Sequence, residues 1–229
     1  AFSLVSLGAG GVVKRTALRP GWFESGDAFW KLDDLEGLAV DTSGFIYAVT
    51  SHSRNDDGAE KKSRDKLVRF RIDADRVVAP AVVGGLKRAL VAVHPVLAAA
   101  AKALEITPDG QRLLIGFRSP LQDGCALIAS VENPAAMFDA DEAPQISPIL
   151  QALDLDGHGI RGMSFIAALG GYLLISGPAS RARNAFSLWF WSGQPGASAH
   201  RVTVPGLLGL EHAEGVSPAV INGAPHIVI

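Results

Sequence analysis

A five-residue motif recurs along this chain with a charged residue at its second place in every copy. The copies are Leu35-Glu36-Gly37-Leu38-Ala39, Ala101-Lys102-Ala103-Leu104-Glu105, Ile160-Arg161-Gly162-Met163-Ser164 and Ala213-Glu214-Gly215-Val216-Ser217. Glu36 and His52 are equidistant from the turn residue Gly44, and Lys102 and Arg118 are equidistant from Gly110. In an antiparallel hairpin such residues face each other across the strands. The expectation is a ring of six ionisable groups, Glu36, His52, Lys102, Arg118, Arg161 and Glu214, with Arg54, His158 and His212 close by.

Such a ring in a concave, partly dehydrated funnel is costly unless its members pair or hold a ligand. Three chemistries suit these residue types. The acids and bases could satisfy one another as salt bridges between repeats. Arg118, Arg161 and His52 could hold a small anionic ligand or a protein partner. Alternatively, Glu36 or Glu214 could serve as base or metal ligand, with His52 as acid/base and the arginines stabilising developing negative charge, in a hydrolase. The bases crowd the site and would repel a cation, which weakens the metal role.

Other constellations are weaker. Ser51-His52-Ser53 puts serines beside a histidine, but neighbours on a strand point to opposite faces. No Gly-x-Ser-x-Gly elbow, His-Glu-x-x-His site or P-loop occurs. Trp189 and Trp191 alternate with Leu188 and Phe190, which predicts packing between sheets rather than a sugar platform. Cys125 is the only cysteine, so no internal disulfide forms, and it reads as a small buried residue. The run Lys61, Lys62, Arg64 and Lys66 is interleaved with Glu60 and Asp65 and reads as a solvated loop.

The elements that must position the ring are strands. Gly37–Val40, Phe45–Thr50, Lys66–Ile72 and Val77–Val83 form a first four-strand unit by alternation and turn chemistry. Leu104–Thr107, Arg112–Phe117, Ala126–Val131 and Ile146–Leu153 form a second. Met163–Ile166, Tyr172–Ser176, Phe186–Trp191 and Arg201–Val204 form a third. A fourth starts at Gly215, turns at Asn222-Gly223 and stops after His226–Ile229. Phe2–Leu7 and Val12–Leu18 read as the outer strands of that incomplete unit, and Pro95–Ala103 is the one helical candidate.

Repeated four-stranded antiparallel sheets predict an all-β fold, a β-propeller with about four blades in this chain. The reading is a single domain over 1–229, with units at roughly 35–88, 102–155 and 161–205 and partial blades at 213–229 and 1–18. The chain reads as beginning and ending mid-blade, as part of a larger propeller. A net charge of −2 argues against a nucleic-acid partner. The longest apolar stretch, Ala89 to Ala101, is broken by His94-Pro95 and is too short to span a bilayer. The composition fits a soluble protein of either cytoplasm or periplasm.

Leu35-Glu36-Gly37 with Thr50-Ser51-His52-Ser53-Arg54, and Thr107-Pro108-Asp109-Gly110 with Leu114-Ile115-Gly116-Phe117-Arg118-Ser119-Pro120, resemble a bacterial family catalogued as domain of unknown function 3616. Gly157-His158-Gly159-Ile160-Arg161-Gly162, Tyr172-Leu173-Leu174-Ile175-Ser176-Gly177-Pro178 and Ala213-Glu214-Gly215 extend the likeness, which runs from about Leu32 to the C-terminus. It implies a propeller longer at both ends and supplies no catalytic residue. One departure stands out: the family's Ile-Glu-Gly segment is replaced by Ala101-Lys102-Ala103. Either the acid has been exchanged or linker residues are missing before Ala103. At the level of fold alone the repeats look like propeller phytases and lactonases, and that analogy makes calcium, held by Glu36 and Glu214, the cofactor to test. The reading favours binding of a small anionic ligand or a protein partner at the charged mouth. The alternative is a phosphoester, ester or lactone hydrolase.

Overall fold

The computed structural model describes residues 2–7, 13–21, 27–53, 59, 61–97, 101–179, 186–206, 209–210 and 212–229. Arg54, a candidate above, lies outside the described residues. Strands β1 (Ser3–Leu7) and β2 (Val13–Ala17) form an antiparallel hairpin, followed by the short β3 (Arg19–Pro20) and the helical turn α1 (Asp27–Trp30). Next come β4 (Leu35–Val40), β5 (Ile46–Thr50), β6 (Lys66–Asp73) and β7 (Arg76–Gly84), paired antiparallel in sequence order. The β3 strand adds in parallel to β7 at the far edge. After helix α2 (Leu86–Val93), strands β8 (Ala101–Ile106), β9 (Leu113–Phe117) and β10 (Ala126–Val131) precede α3 (Pro134–Asp139) and β11 (Gln151–Leu153). A third sheet holds β12 (Gly159–Ile166), β13 (Gly171–Gly177), β14 (Ser187–Trp191) and β15 (His200–Val202). The hairpin β16 (Ser217–Ile221) and β17 (Ala224–Val228) turns at Asn222-Gly223.

The chain is therefore mostly β, with repeated four-stranded antiparallel sheets near the predicted places. The hairpins β1–β2 and β16–β17 are separate two-stranded sheets. Phe2 and Leu4 of the N-terminal hairpin region pack with Phe29 of α1 and with Val68 and Phe70 of the first sheet.

The helical expectation is corrected. The longest helix among the described residues is α2, which ends at Val93, just before His94-Pro95, while Ala101 to Ile106 is strand. Proline disfavours helical backbone in the residue before it, so α2 stops at Val93, and of the expected helix only a 3-10 turn over Pro95–Leu97 forms.

Sheet stacking explains why these strands are apolar on both faces. Successive side chains of β9 point to opposite sides: Leu113 and Ile115 join a core with Val49, Leu67, Leu104 and Leu127, whereas Leu114 joins Ile160, Met163 and Leu174. Trp189 and Trp191 lie buried in that second core, as predicted, and the Trp189 indole donates to Ser176 Oγ at 2.9 Å. Each fully buried leucine or isoleucine contributes about 1.5–3 kcal/mol over leaving it exposed. No helix among the described residues is long and apolar enough to cross a membrane.

The first strands of the repeats meet their successors: β4 packs on β8, β8 on β12 and β12 on β16. The small third residue of the motif permits this approach. A Cβ at Gly37 would lie 2.6 Å from the Leu104 nitrogen, and one at Gly162 would lie 3.0 Å from Gly215 Cα. The motif thus marks the seam along which the sheets are joined.

Candidate functional site

One irregularity recurs along that seam. Leu35 pairs with Thr50 and Gly37 with Val49, so Glu36 is an extra residue in the ladder, set against no position of β5. Ala101 pairs with Phe117 and Ala103 with Gly116, leaving Lys102 extra. Ile160 pairs with Ser176 and Gly162 with Ile175, leaving Arg161 extra. These are β-bulges, which turn a side chain out of the alternating pattern. Three of the four charged motif residues are therefore the inserted residue of a bulge, in three consecutive sheets. The side chain of Lys102 is outside the described residues.

The bulges correct the hairpin register. Counting from Gly44 sets Glu36 against His52, but the ladder sets Leu35 against Thr50 and places His52 beyond the end of the strand. Aligning the three bulges matches Arg118 with Ser51, so His52 and Arg118 are not equivalent. Equidistance from a turn holds only for a ladder without an inserted residue.

Arg161 is the best-defined member of the set. Its guanidinium is buried, with Nη1 donating to Glu214 Oε1 at 3.0 Å and Nη2 to the Pro178 carbonyl at 2.8 Å. The Phe186 ring lies with its centroid 5.5 Å from the guanidinium carbon, and His212 in turn stands 6.3 Å from Phe186 between ring centroids. The β9 strand packs on β12, and Arg118 follows β9 directly. Burial and the neighbouring Arg118 cation hold the Arg161 pKa below its usual value, against the opposing pull of Glu214 and Glu36. Arg161, Arg118, Glu214 and Glu36 thus form one electrostatic cluster. Glu214 is mostly exposed, whereas Glu36 and Arg118 are half-buried. Among the described residues Arg118 makes no side-chain hydrogen bond or ion pair, and its Nε is buried without a partner. His158, half-buried just before β12, has a buried Nδ1 without a partner.

His52 is held differently. It is buried, with backbone φ of 55°, and its Nε2 lies 3.3 Å from Asp65 Oδ1. Burial lowers its pKa below the ordinary imidazole value, with Asp65 and the Thr50 carbonyl opposing and Lys87 adding to the shift. Neither ring nitrogen completes a hydrogen bond of ordinary geometry. His52 lines a small cleft with Ser53, Lys61, Arg64, Asp65 and Lys87. Lys61 and Arg64 are both bonded to Asp33. These charged neighbours differ from those of Arg161.

Glu105 is a buried carboxylate absent from the sequence-based candidates. Its Oε1 accepts from the Ile106 N–H and its Oε2 from the Phe165 N–H, both at 2.9 Å, which ties β8 to β12. Burial raises its pKa, and burial with this carboxylate nearby pushes the Tyr172 hydroxyl up to about 12. The available signal was an acid between Leu104 and Ile106 in an apolar strand. Among the described residues no three His, Cys, Asp or Glu side chains gather as they would around a metal ion.

No protein-family model matches the chain, and no curated protein sequence does. Among solved structures, a chain of hydrazine synthase from Kuenenia stuttgartiensis is 12% identical, with a TM-score of 0.35 over 68% of this chain. The match spans 33% of that chain. A likeness of that size carries no argument about fold closure or chemistry.

Proposed function

We propose that this chain is a β-propeller-type repeat protein of the family it resembles, domain of unknown function 3616, and that it binds a small anion at Arg118 and Arg161. The propeller reading is supported by consecutive four-stranded sheets whose first strands pack side by side. The observation that carries the binding reading is Arg161 itself: a buried guanidinium beside a second guanidinium that has no bonded acid among the described residues. Like charges at short range in a dehydrated place are unfavourable, and an anion between them reverses the sign of that interaction. Planar guanidinium forks suit carboxylate and phosphate oxygens. The hydrolase alternative draws on Glu36 or Glu214 as base or metal ligand, and of these the Glu214 carboxylate is bonded to Arg161.

Thermal unfolding of the whole chain in graded acetate, inorganic phosphate and Ca²⁺ tests the proposal. An anion at ten times its dissociation constant should add about 1.4 kcal/mol. That gain should vanish in Arg118→Ala. Stabilisation by Ca²⁺ alone, lost in Glu36→Ala, would instead support the metal-assisted hydrolase. A response to no anion would overturn the binding reading.

A further inference from the structure

Arg161 already holds a carboxylate, and the two ends of that bond are very unequal. The guanidinium is 8% exposed and pinned at its other nitrogen by the Pro178 carbonyl, whereas the Glu214 side chain is 56% exposed. Glu214 belongs to no strand. Its neighbour Gly215 abuts Gly162, and Val216 is buried with Leu173, Ile175 and Leu188. The backbone beside Glu214 is therefore anchored while its carboxylate can swing into solvent by side-chain rotation alone. Arg161 cannot move in the same way without giving up the Pro178 bond.

We infer that the ligand of the proposed anion site is a carboxylate, and that Glu214 occupies the ligand's seat on Arg161 until it is displaced. The inference rests on the anion-binding reading and names its ligand class and its internal competitor. A monoanionic planar group reproduces what Glu214 does at Arg161 Nη1 and adds a partner for Arg118. A phosphate dianion meets more repulsion from Glu36, which lies within electrostatic range of Arg161. Displacement is cheap on the leaving side, because an exposed carboxylate returns to water with little loss.

The test compares the wild-type chain with Glu214→Gln, which keeps shape and removes the competing charge, and with Glu214→Asp, which keeps charge and shortens its reach. Acetate, succinate and inorganic phosphate are titrated against thermal unfolding. Half-maximal stabilisation of Glu214→Gln by acetate or succinate is expected at about fivefold lower concentration than for wild type, with Glu214→Asp between them. The double variant Arg118→Ala/Glu214→Gln should not respond. Equal midpoints for wild type and Glu214→Gln would overturn the competitor and leave the anion site standing. A gain for phosphate without one for the carboxylates would overturn the ligand class. No response by any of the proteins would overturn the site and the inference together.

Discussion

Arg161 and His52 are both buried bases facing a more exposed carboxylate, Glu214 in one case and Asp65 in the other. They meet burial in opposite ways. Arginine stays charged at any accessible pH, so Arg161 needs acceptors and has two, one from the chain and one from Glu214. Histidine can shed its proton, and burial drives His52 that way; its 3.3 Å contact with Asp65 Oδ1 forms no hydrogen bond of ordinary geometry. The difference shows which acid is recruited by a fixed charge. Glu214 answers a cation that is always present, whereas Asp65 faces a ring that burial pushes toward its neutral form.

The comparison breaks first at Arg161. Arg161→Ala leaves the Pro178 carbonyl without its donor and removes the cation from the Phe186 face, so denaturant unfolding should show a loss of about 3 kcal/mol. The corresponding change at the other base should show itself through pH. Because the folded-state pKa of His52 is depressed below 6.5, the unfolded chain takes up a proton first as pH falls. Stability attributable to His52 therefore falls below about pH 6.5, by at most about 1.4 kcal/mol per pH unit until the folded value is reached. His52→Asn suits the left-handed backbone there and should flatten that dependence relative to wild type. Glu105, whose pKa is raised, acts in the opposite sense above the ordinary carboxylate value, but it is common to both proteins and cancels in the difference. A smaller effect is expected for Glu214→Gln, about 1 kcal/mol at low salt and less at high salt, since its carboxylate is mostly in water. Arg118→Ala should be smallest, within about 0.5 kcal/mol, because it removes a like-charge neighbour of Arg161 along with some packing. A large loss there would mean that Arg118 is structural.

Much of this is legible in the residues themselves. The motif marks the first strand of each of the three larger antiparallel units, and its charged second residue is the bulged residue in all three. What remained hidden were consequences of tertiary fit. A bulge leaves no mark in residue type, so Glu36 and His52 looked opposed when the ladder had slipped between them. Glu105 looked like one alternating polar residue, and only the approach of Phe165 shows its carboxylate serving the next sheet. The stop at His94-Pro95 was visible, but the alanine-rich run after it outweighed it in the helical expectation.

A residue inserted at a bulge answers to no cross-strand neighbour. At an ordinary ladder position, exchanging an acid for a base disturbs whatever stands opposite; at Glu36, Lys102 and Arg161 no residue stands directly opposite. Strand pairing therefore does not dictate the charge at these positions; at Arg161 it is the Glu214 and Pro178 bonds that do. The order acid, base, base along these three sheets is a setting, and a chain with the same seam could carry another.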